Sequence, residues 1–299
     1  MLISESIEEY MLEQECRGNS KKTINYYDNL LTLFQRYAHE KDLYTIDGIT
    51  VSVCRLFNKF LKDRKVSSVT VQTYVRGFRA YLQWLYDSGY IDEDLTDRYH
   101  LPKASTKVID ILTDSEVQRL LASFDTATTN GLRDYTICAL MLDSGIRLNE
   151  VVTLQTKHVH VDEGYLIVTG KGDKQRIVPF GSFTASTLQT YVDDKKSWCP
   201  PLSSFFVTVH ATPITENTLK DLFRRLKYRS DIPRIHPHLL RHTFATKYLM
   251  CGGDIYSLQR ILGHTTLDMV KRYLHLSNQL TLAAYKSPVD ALHNKNSPR

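Results

Sequence analysis

The sequence predicts a mainly α protein with one small antiparallel sheet. Apolar residues recur at helical spacing along most of the chain, and alternation with a period of two is clearest in a stretch near 164–180. The first hundred residues carry helical periodicity only. A length of 299 residues suits two domains, or one large one, with a core that needs no disulfide staples.

The elements follow in order. SIEEYMLEQE sets Ile7, Tyr10 and Met11 on one helical face. SKKTINYYDNLLTLFQRYAHE opens with Ser20 as its cap and runs apolar at Ile24, Tyr27, Leu31 and Phe34. VSVCRLFNKFLKDRK and SSVTVQTYVRGFRAYLQWLYDSGY predict two more helices, the last stopped near Gly89. These four make a compact bundle over 1–90. Residues 91–110 are polar, contain a proline and lack a period, which predicts a linker. A second domain is expected over 111–299. It starts with a capping box, Thr113 with Glu116. NGLRDYTICALMLDSG is an apolar helix ended by Gly145, and GYLIVTGKGDKQRIVPF reads as a β-hairpin broken at its middle. SFFVTVHATPIT predicts a further strand pair. After it, ENTLKDLFRRLKYRS, HPHLLRHTFATKYLM, DIYSLQRILGH and TLDMVKRYLHL all have the helical period.

Composition excludes several classes. The five cysteines are scattered, odd in number and without a C-x-x-C pair, so neither a disulfide framework nor a zinc ribbon is expected. The acidic, amphipathic N-terminus does not look like a signal peptide, and no run approaches 18 apolar residues. The expectation is a cytoplasmic protein that does not cross a membrane. Net charge is +5, unevenly placed: residues 1–105 carry 14 Lys+Arg against 15 Asp+Glu, and the rest carry 24 against 18. That excess is compatible with a polyanionic partner.

Chemistry concentrates in a few short motifs. In HPHLLRHTFATKYL, Pro237 suits a first helical turn, and His238, Arg241 and His242 share one face. Cations are disfavoured at a helix N-terminus, so this is either a solvated basic turn or an anion site. A zinc helix would need a carboxylate between His238 and His242, where the chain has Leu239, Leu240 and Arg241, so no metal is expected. DSGIRLNEVVTL places Arg147 just after a helix-stopping glycine, with Glu150 near enough to orient it or simply to pair with it. GKGDKQR sets Lys171 in a hairpin turn and lacks the Lys-Ser/Thr of a nucleotide P-loop. LGHTTLDMVKRYLH ends one helix at His264 and begins another carrying Tyr273.

Taken in order, Arg147, Lys171, HPHLLRH, LGH and Tyr273 resemble the tyrosine recombinase (phage integrase) family, especially its compact two-domain Xer-like and transposon-integrase branch. The resemblance covers nearly the whole chain. It implies an N-terminal four-helix (SAM-like) core-binding domain and a mostly helical catalytic domain. The catalytic set it implies is Arg147, Lys171, His238, Arg241, His264 and Tyr273, with Lys174 an alternative to Lys171 on the same turn and with Glu150 and His242 in supporting roles. Val270 departs from the threonine many members carry three residues before the tyrosine. The implied reaction is attack of tyrosine on a DNA phosphodiester to give a 3′-phosphotyrosyl link, without ATP, metal or other cofactor. Two guanidiniums suit that chemistry, because phosphoryl transfer gathers charge on the non-bridging oxygens. Ionising a phenol of pKa about 10 at pH 7 takes roughly 4 kcal/mol, which a positive pocket lowers. His238 is implied as the proton acceptor and Lys171 as the acid protonating the leaving 5′-oxygen. His242 is expected to be structural.

The resemblance also implies double-stranded DNA with paired core sites as partner, and a homo-oligomer that becomes a tetramer in synapsis, with a monomer free in solution left open. DNA-contact candidates are Lys21, Lys22 and Thr23, then Thr70, Thr73, Arg76 and Arg79, and in the second domain Lys220, Arg224, Arg225 and Lys227. A tail over about 277–299 contains a short apolar helix that could dock in cis or on a neighbouring protomer. Integration, excision, inversion and dimer resolution stay open. The rivals are a type IB topoisomerase-like enzyme, a silent DNA-binding protein of the same fold and a metal-dependent hydrolase.

Overall fold

The computed structural model describes residues 1–103, 109–170 and 173–274, and the chain divides into two units, Met1–Lys107 and Val108–Arg299. The tail expected over 277–299 lies outside the described residues.

The first unit holds α1 (Ile3–Cys16), α2 (Lys21–His39), α3 (Val51–Asp63) and α4 (Ser68–Asp87). Local chemistry starts three of them: Ser20, Thr50 and Ser67 accept hydrogen bonds from the backbone N–H groups of Thr23, Val53 and Thr70. The core is aromatic. Phe34, Phe57 and Phe78 meet with ring centroids 4.4–5.2 Å apart, geometry favoured by the ring quadrupoles. Helices α2 and α4 approach closely at Gly77, where a Cβ would collide with Tyr26 and Leu30.

The start of the expected linker is not a bare connector. Leu95 and Tyr99 are buried in this core. Tyr99 donates its hydroxyl to Asn58 Oδ1 at 2.6 Å, and Gln72 reaches the Pro102 carbonyl at 3.0 Å. Two isolated anchors in a polar segment make no periodic pattern, so the stretch looks unstructured from sequence.

The second unit contains α5 (Asp114–Ala122), α6 (Thr129–Ser144), α7 (Leu148–Val152), β1 (Val159–His160), β2 (Tyr165–Thr169), β3 (Gln175–Pro179), α8 (Ser182–Trp198), α9 (Glu216–Arg229), α10 (Pro237–Met250), α11 (Ile255–Leu262) and α12 (Asp268–Leu274). The three strands form one antiparallel sheet in chain order, with Ile167 opposite Ile177. Helix α6 packs between α8 and α10. The Thr113–Glu116 capping box forms as expected. Helix α6 ends at Gly145 in the left-handed conformation at φ 63°, and a Cβ there would strike Phe244. The glycine thus stops the helix and lets α10 come close to the turn that carries Arg147.

Two features differ from expectation. SFFVTVHATPIT forms no strand pair. It makes isolated bridges, Gln155 with Ser204 and Val207 with Pro213, and Pro213 has no N–H to extend a ladder. Helix α8 is not announced by its sequence. Its Ser- and Thr-rich pattern is weakly amphipathic, yet it buries Leu188 and Tyr191, and Lys195 Nζ donates to the carbonyls of Ser204 and Phe205, both at 2.9 Å.

Candidate active site

Arg147 caps α7 just beyond Gly145. Its backbone N–H donates to Glu150 Oε2 at 2.8 Å and its Nη1 to Oε1 at 3.0 Å. Glu150 is 4% exposed, and it has a second, stronger partner. Arg176 on β3 donates from both terminal nitrogens to the two carboxylate oxygens, each at 2.8 Å, and from Nε to the Ile261 carbonyl at 2.6 Å. Burial pushes the Glu150 carboxyl upward, but the hydrogen bonds from Arg176 and Arg147 outweigh it and hold the group below the usual carboxylate range.

Arg241 is the fifth residue of α10 and is 3% exposed. It donates to the carbonyls of Gly145 at 2.5 Å and Leu262 at 2.7 Å, and to His264 Nε2 at 3.0 Å. Burial, then repulsion from Arg147, brings its pKa down to about 10, so it stays charged at neutral pH. His264 follows Gly263, the left-handed residue that ends α11. Burial, then the charges of Arg241, Arg147 and Arg176, hold its pKa down at about 4. The ring is therefore neutral at pH 7. With Nε2 accepting from Arg241, the proton sits on Nδ1, which is buried and has no protein partner among the described residues.

Tyr273 on α12 is 3% exposed. Its hydroxyl lies 2.9 Å from His242 Nδ1. His238 is exposed, one helical turn earlier, with its ring centroid 6.3 Å from that of His242.

The structure thus gathers Arg147, Arg241, His264 and Tyr273, with Glu150 and His242 among them. Lys171 lies outside the described residues. Lys174 is exposed on the same turn, whose base is closed by a Gly170 N–H to Lys174 carbonyl bond of 2.8 Å. Arg176 is absent from the sequence reading. A usable signal existed: alternation along β3 leaves Ile177 63% exposed and Val178 buried, so Arg176 falls on the inward side, where an arginine needs a partner.

The expected DNA contacts divide. Lys21, Lys22, Thr73 and Arg76 are exposed, with Thr23 and Thr70 half-buried, and Tyr26 binding the Thr73 carbonyl ties the starts of α2 and α4 together. Arg79 is half-buried, and its Nη1 donates to the carbonyls of Thr96 and Tyr99, so part of its guanidinium ties the segment after α4 to the unit. Lys220, Arg224, Arg225 and Lys227 are all exposed on α9, with ion pairs from Lys220 to Glu216 at 3.2 Å and from Arg224 to Asp221 at 2.9 Å.

Among the described residues no helix is long and apolar enough to cross a membrane, and no cluster of His, Cys, Asp and Glu is placed to hold a metal.

Known proteins resemble this chain in sequence and in fold. Residues 110–279 match the phage integrase family, and residues 2–101 match the phage integrase SAM-like domain. The chain is 30% identical to tyrosine recombinase XerC of Oceanobacillus iheyensis over 287 residues, 94% of each chain. It is also 30% identical to tyrosine recombinase XerD of Staphylococcus haemolyticus over 298 residues, 98% of each. In fold it is similar to the Tn1549 transposon integrase in complex with transposon right end DNA, with a TM-score of 0.74, 18% identity and coverage of 99% and 98%. It is likewise similar to XerH bound to its palindromic difH substrate, with a TM-score of 0.71, 22% identity and coverage of 91% and 81%. The chain belongs to the phage integrase family and is a site-specific DNA recombinase of the tyrosine class.

Proposed function

We propose that this chain cuts and rejoins double-stranded DNA at paired core sites, with Tyr273 as nucleophile and a 3′-phosphotyrosyl intermediate. A surplus of positive charge carries the proposal. Arg147 and Arg176 both bond one carboxylate, Glu150, whereas among the described residues the buried Arg241 is bonded to carbonyls and an imidazole. A buried guanidinium without a counter-charge is costly. A phosphate would balance it through charge-assisted bonds.

In the proposed reaction, Arg147 and Arg241 stabilise the charge developing on the non-bridging oxygens, and the neutral His264 adds an Nδ1–H donor. Exposed His238 completes the basic turn beside the phosphate. Lys171, or Lys174 on the same turn, protonates the departing 5′-oxygen. The phosphotyrosyl link preserves the energy of the phosphodiester, so rejoining needs no ATP. The first unit serves as the core-binding domain, using the starts of α2 and α4, and α9 adds backbone contacts from the catalytic domain. The working form is a homo-oligomer on DNA in the cytoplasm, a tetramer in synapsis. A lambda integrase dimer bound to a COC′ core site, similar in fold at a TM-score of 0.73, supports that part. Whether the outcome is integration, excision, inversion or dimer resolution depends on the sites.

The test is covalent trapping. Wild type and Tyr273→Phe are incubated with nicked, sheared DNA from the source organism in EDTA, denatured, and the protein-bound DNA is sequenced. The expected result is 3′-linked adducts clustered at one site, in wild type only. Adducts in Tyr273→Phe, or none in wild type, would overturn the assignment.

A further inference from the structure

We propose that His242, rather than His238, is the group that takes the proton from Tyr273 when the nucleophile is formed. This rests on the assignment of Tyr273 as nucleophile and goes beyond it.

The geometry points to His242. Its Nδ1 is 2.9 Å from the Tyr273 hydroxyl, within reach for direct proton transfer. The two rings are 5.6 Å apart between centroids and inclined by 49°, so the imidazole edge meets the phenol oxygen. A phenol is the stronger acid of the pair, so Tyr273 donates and Nδ1 accepts, with the ring's own proton on Nε2. His242 is half-buried, between exposed His238 and the buried Tyr273.

The step balances. The phenol O–H bond breaks and its proton binds His242 Nδ1. The phenolate lone pair forms the O–P bond, and the P–O5′ pair leaves with the 5′-oxygen, which the hairpin lysine protonates. On rejoining, the 5′-hydroxyl returns its proton to the hairpin lysine and attacks phosphorus, the bond from phosphorus to the tyrosine oxygen breaks, and the imidazolium of His242 gives its proton to that departing oxygen. One side chain thus acts as base and then as acid.

Among the described residues, the titratable groups placed against His242 are His238 on its own helix, Tyr273 on α12, and His264 from the turn after α11, with Arg241 next to it in the chain. Of these, Arg241 stays charged and His264 stays neutral across pH 5–8. The competing origin of a pH inflection in that range is therefore His238.

The experiment measures single-turnover adduct formation between pH 5 and 10, on a nicked duplex carrying the site recovered by trapping. His242→Asn places an amide where Nδ1 was, so it can still bond the hydroxyl but cannot accept a proton. Wild type is expected to rise through the histidine range, near pH 6.5, and then level off. His242→Asn is expected to be slower by roughly 10²–10³-fold at pH 7 and to climb steadily toward pH 10 as the phenol ionises unaided. His238→Asn is expected to keep the inflection. If His242→Asn stays within about threefold of wild type with the same profile, or if His238→Asn is the variant that loses the inflection, the proposal is overturned. Should His242→Asn fail to fold, ¹⁵N spectra of histidine-labelled wild type at pH 8 decide. A protonated Nδ1 on His242 overturns the proposal and an unprotonated one supports it. The trapping controls separate this outcome from the wider one. Adducts in Tyr273→Phe, or none in wild type, remove the nucleophile itself, whereas a wild-type-only adduct with an unaltered His242→Asn profile removes His242 alone.

Discussion

Among the described residues, the buried polar side chains of the first unit are Ser6, Gln14 and Thr96, all neutral, whereas those of the second include Arg133, Asp134, Glu150 and Arg241. Arg133 and Asp134 balance each other directly, with Nε and Nη2 bonded to Oδ1 at 2.9 and 2.7 Å. The group around Glu150 does not balance, since three guanidiniums meet one carboxylate. Desolvating charge is expensive, and stability alone is better served by apolar packing. The contrast teaches where function sits. One unit has a core of neutral, largely aromatic groups, and the other holds charge inside, which the DNA phosphate would balance in the proposed reaction.

The largest expected effect comes from breaking the charged cluster. Glu150→Gln leaves Arg176 and Arg147 without their carboxylate and should lower stability by about 3–5 kcal/mol, measured by urea unfolding. Its pH dependence has a definite sign. The folded pKa of Glu150 lies below the ordinary value, so its stabilisation is present above about pH 4.3 and is lost as pH falls through the folded pKa. The gap between wild type and variant should thus be wider near neutrality than in acid, where Glu150 is protonated. An equal gap at all pH values would break the comparison.

A neutral counterpart sharpens it. Tyr81 shares a 2.6 Å hydrogen bond with buried Ser6, which also donates to the Ile3 carbonyl. Tyr81→Phe should lower stability by only about 1 kcal/mol, without pH dependence between 4 and 8. The smallest effect belongs to exposed charge. Lys220→Ala with Arg224→Ala should change stability by less than about 1 kcal/mol. It should also reduce the salt slope of DNA binding by roughly 2, as two lost phosphate contacts would. An unchanged slope would remove α9 from the DNA surface.

Much of the scaffold is legible from the chain. The caps at Ser20 and Thr113, the stop at Gly145 and the β2–β3 hairpin rest on interactions among residues a few positions apart. Helix α8 is not legible, since its apolar face is too sparse to signal burial before α6 covers it. The bonds of Arg79 to the carbonyls of Thr96 and Tyr99 are not legible either, because a basic residue on a helix says nothing about which carbonyls will fold against it.

The sequence by itself determined the mainly α architecture and the order Arg147, Arg241, His264, Tyr273, because helical period, caps and motif spacing are local. Tertiary structure decided which atoms meet. Arg176 finds Glu150 across 26 positions, His242 finds Tyr273 across 31, and Arg241 finds the Gly145 carbonyl across 96. Contacts at such separations depend on how whole helices pack and on which buried donors then need acceptors, and neither is written into any short stretch of chain.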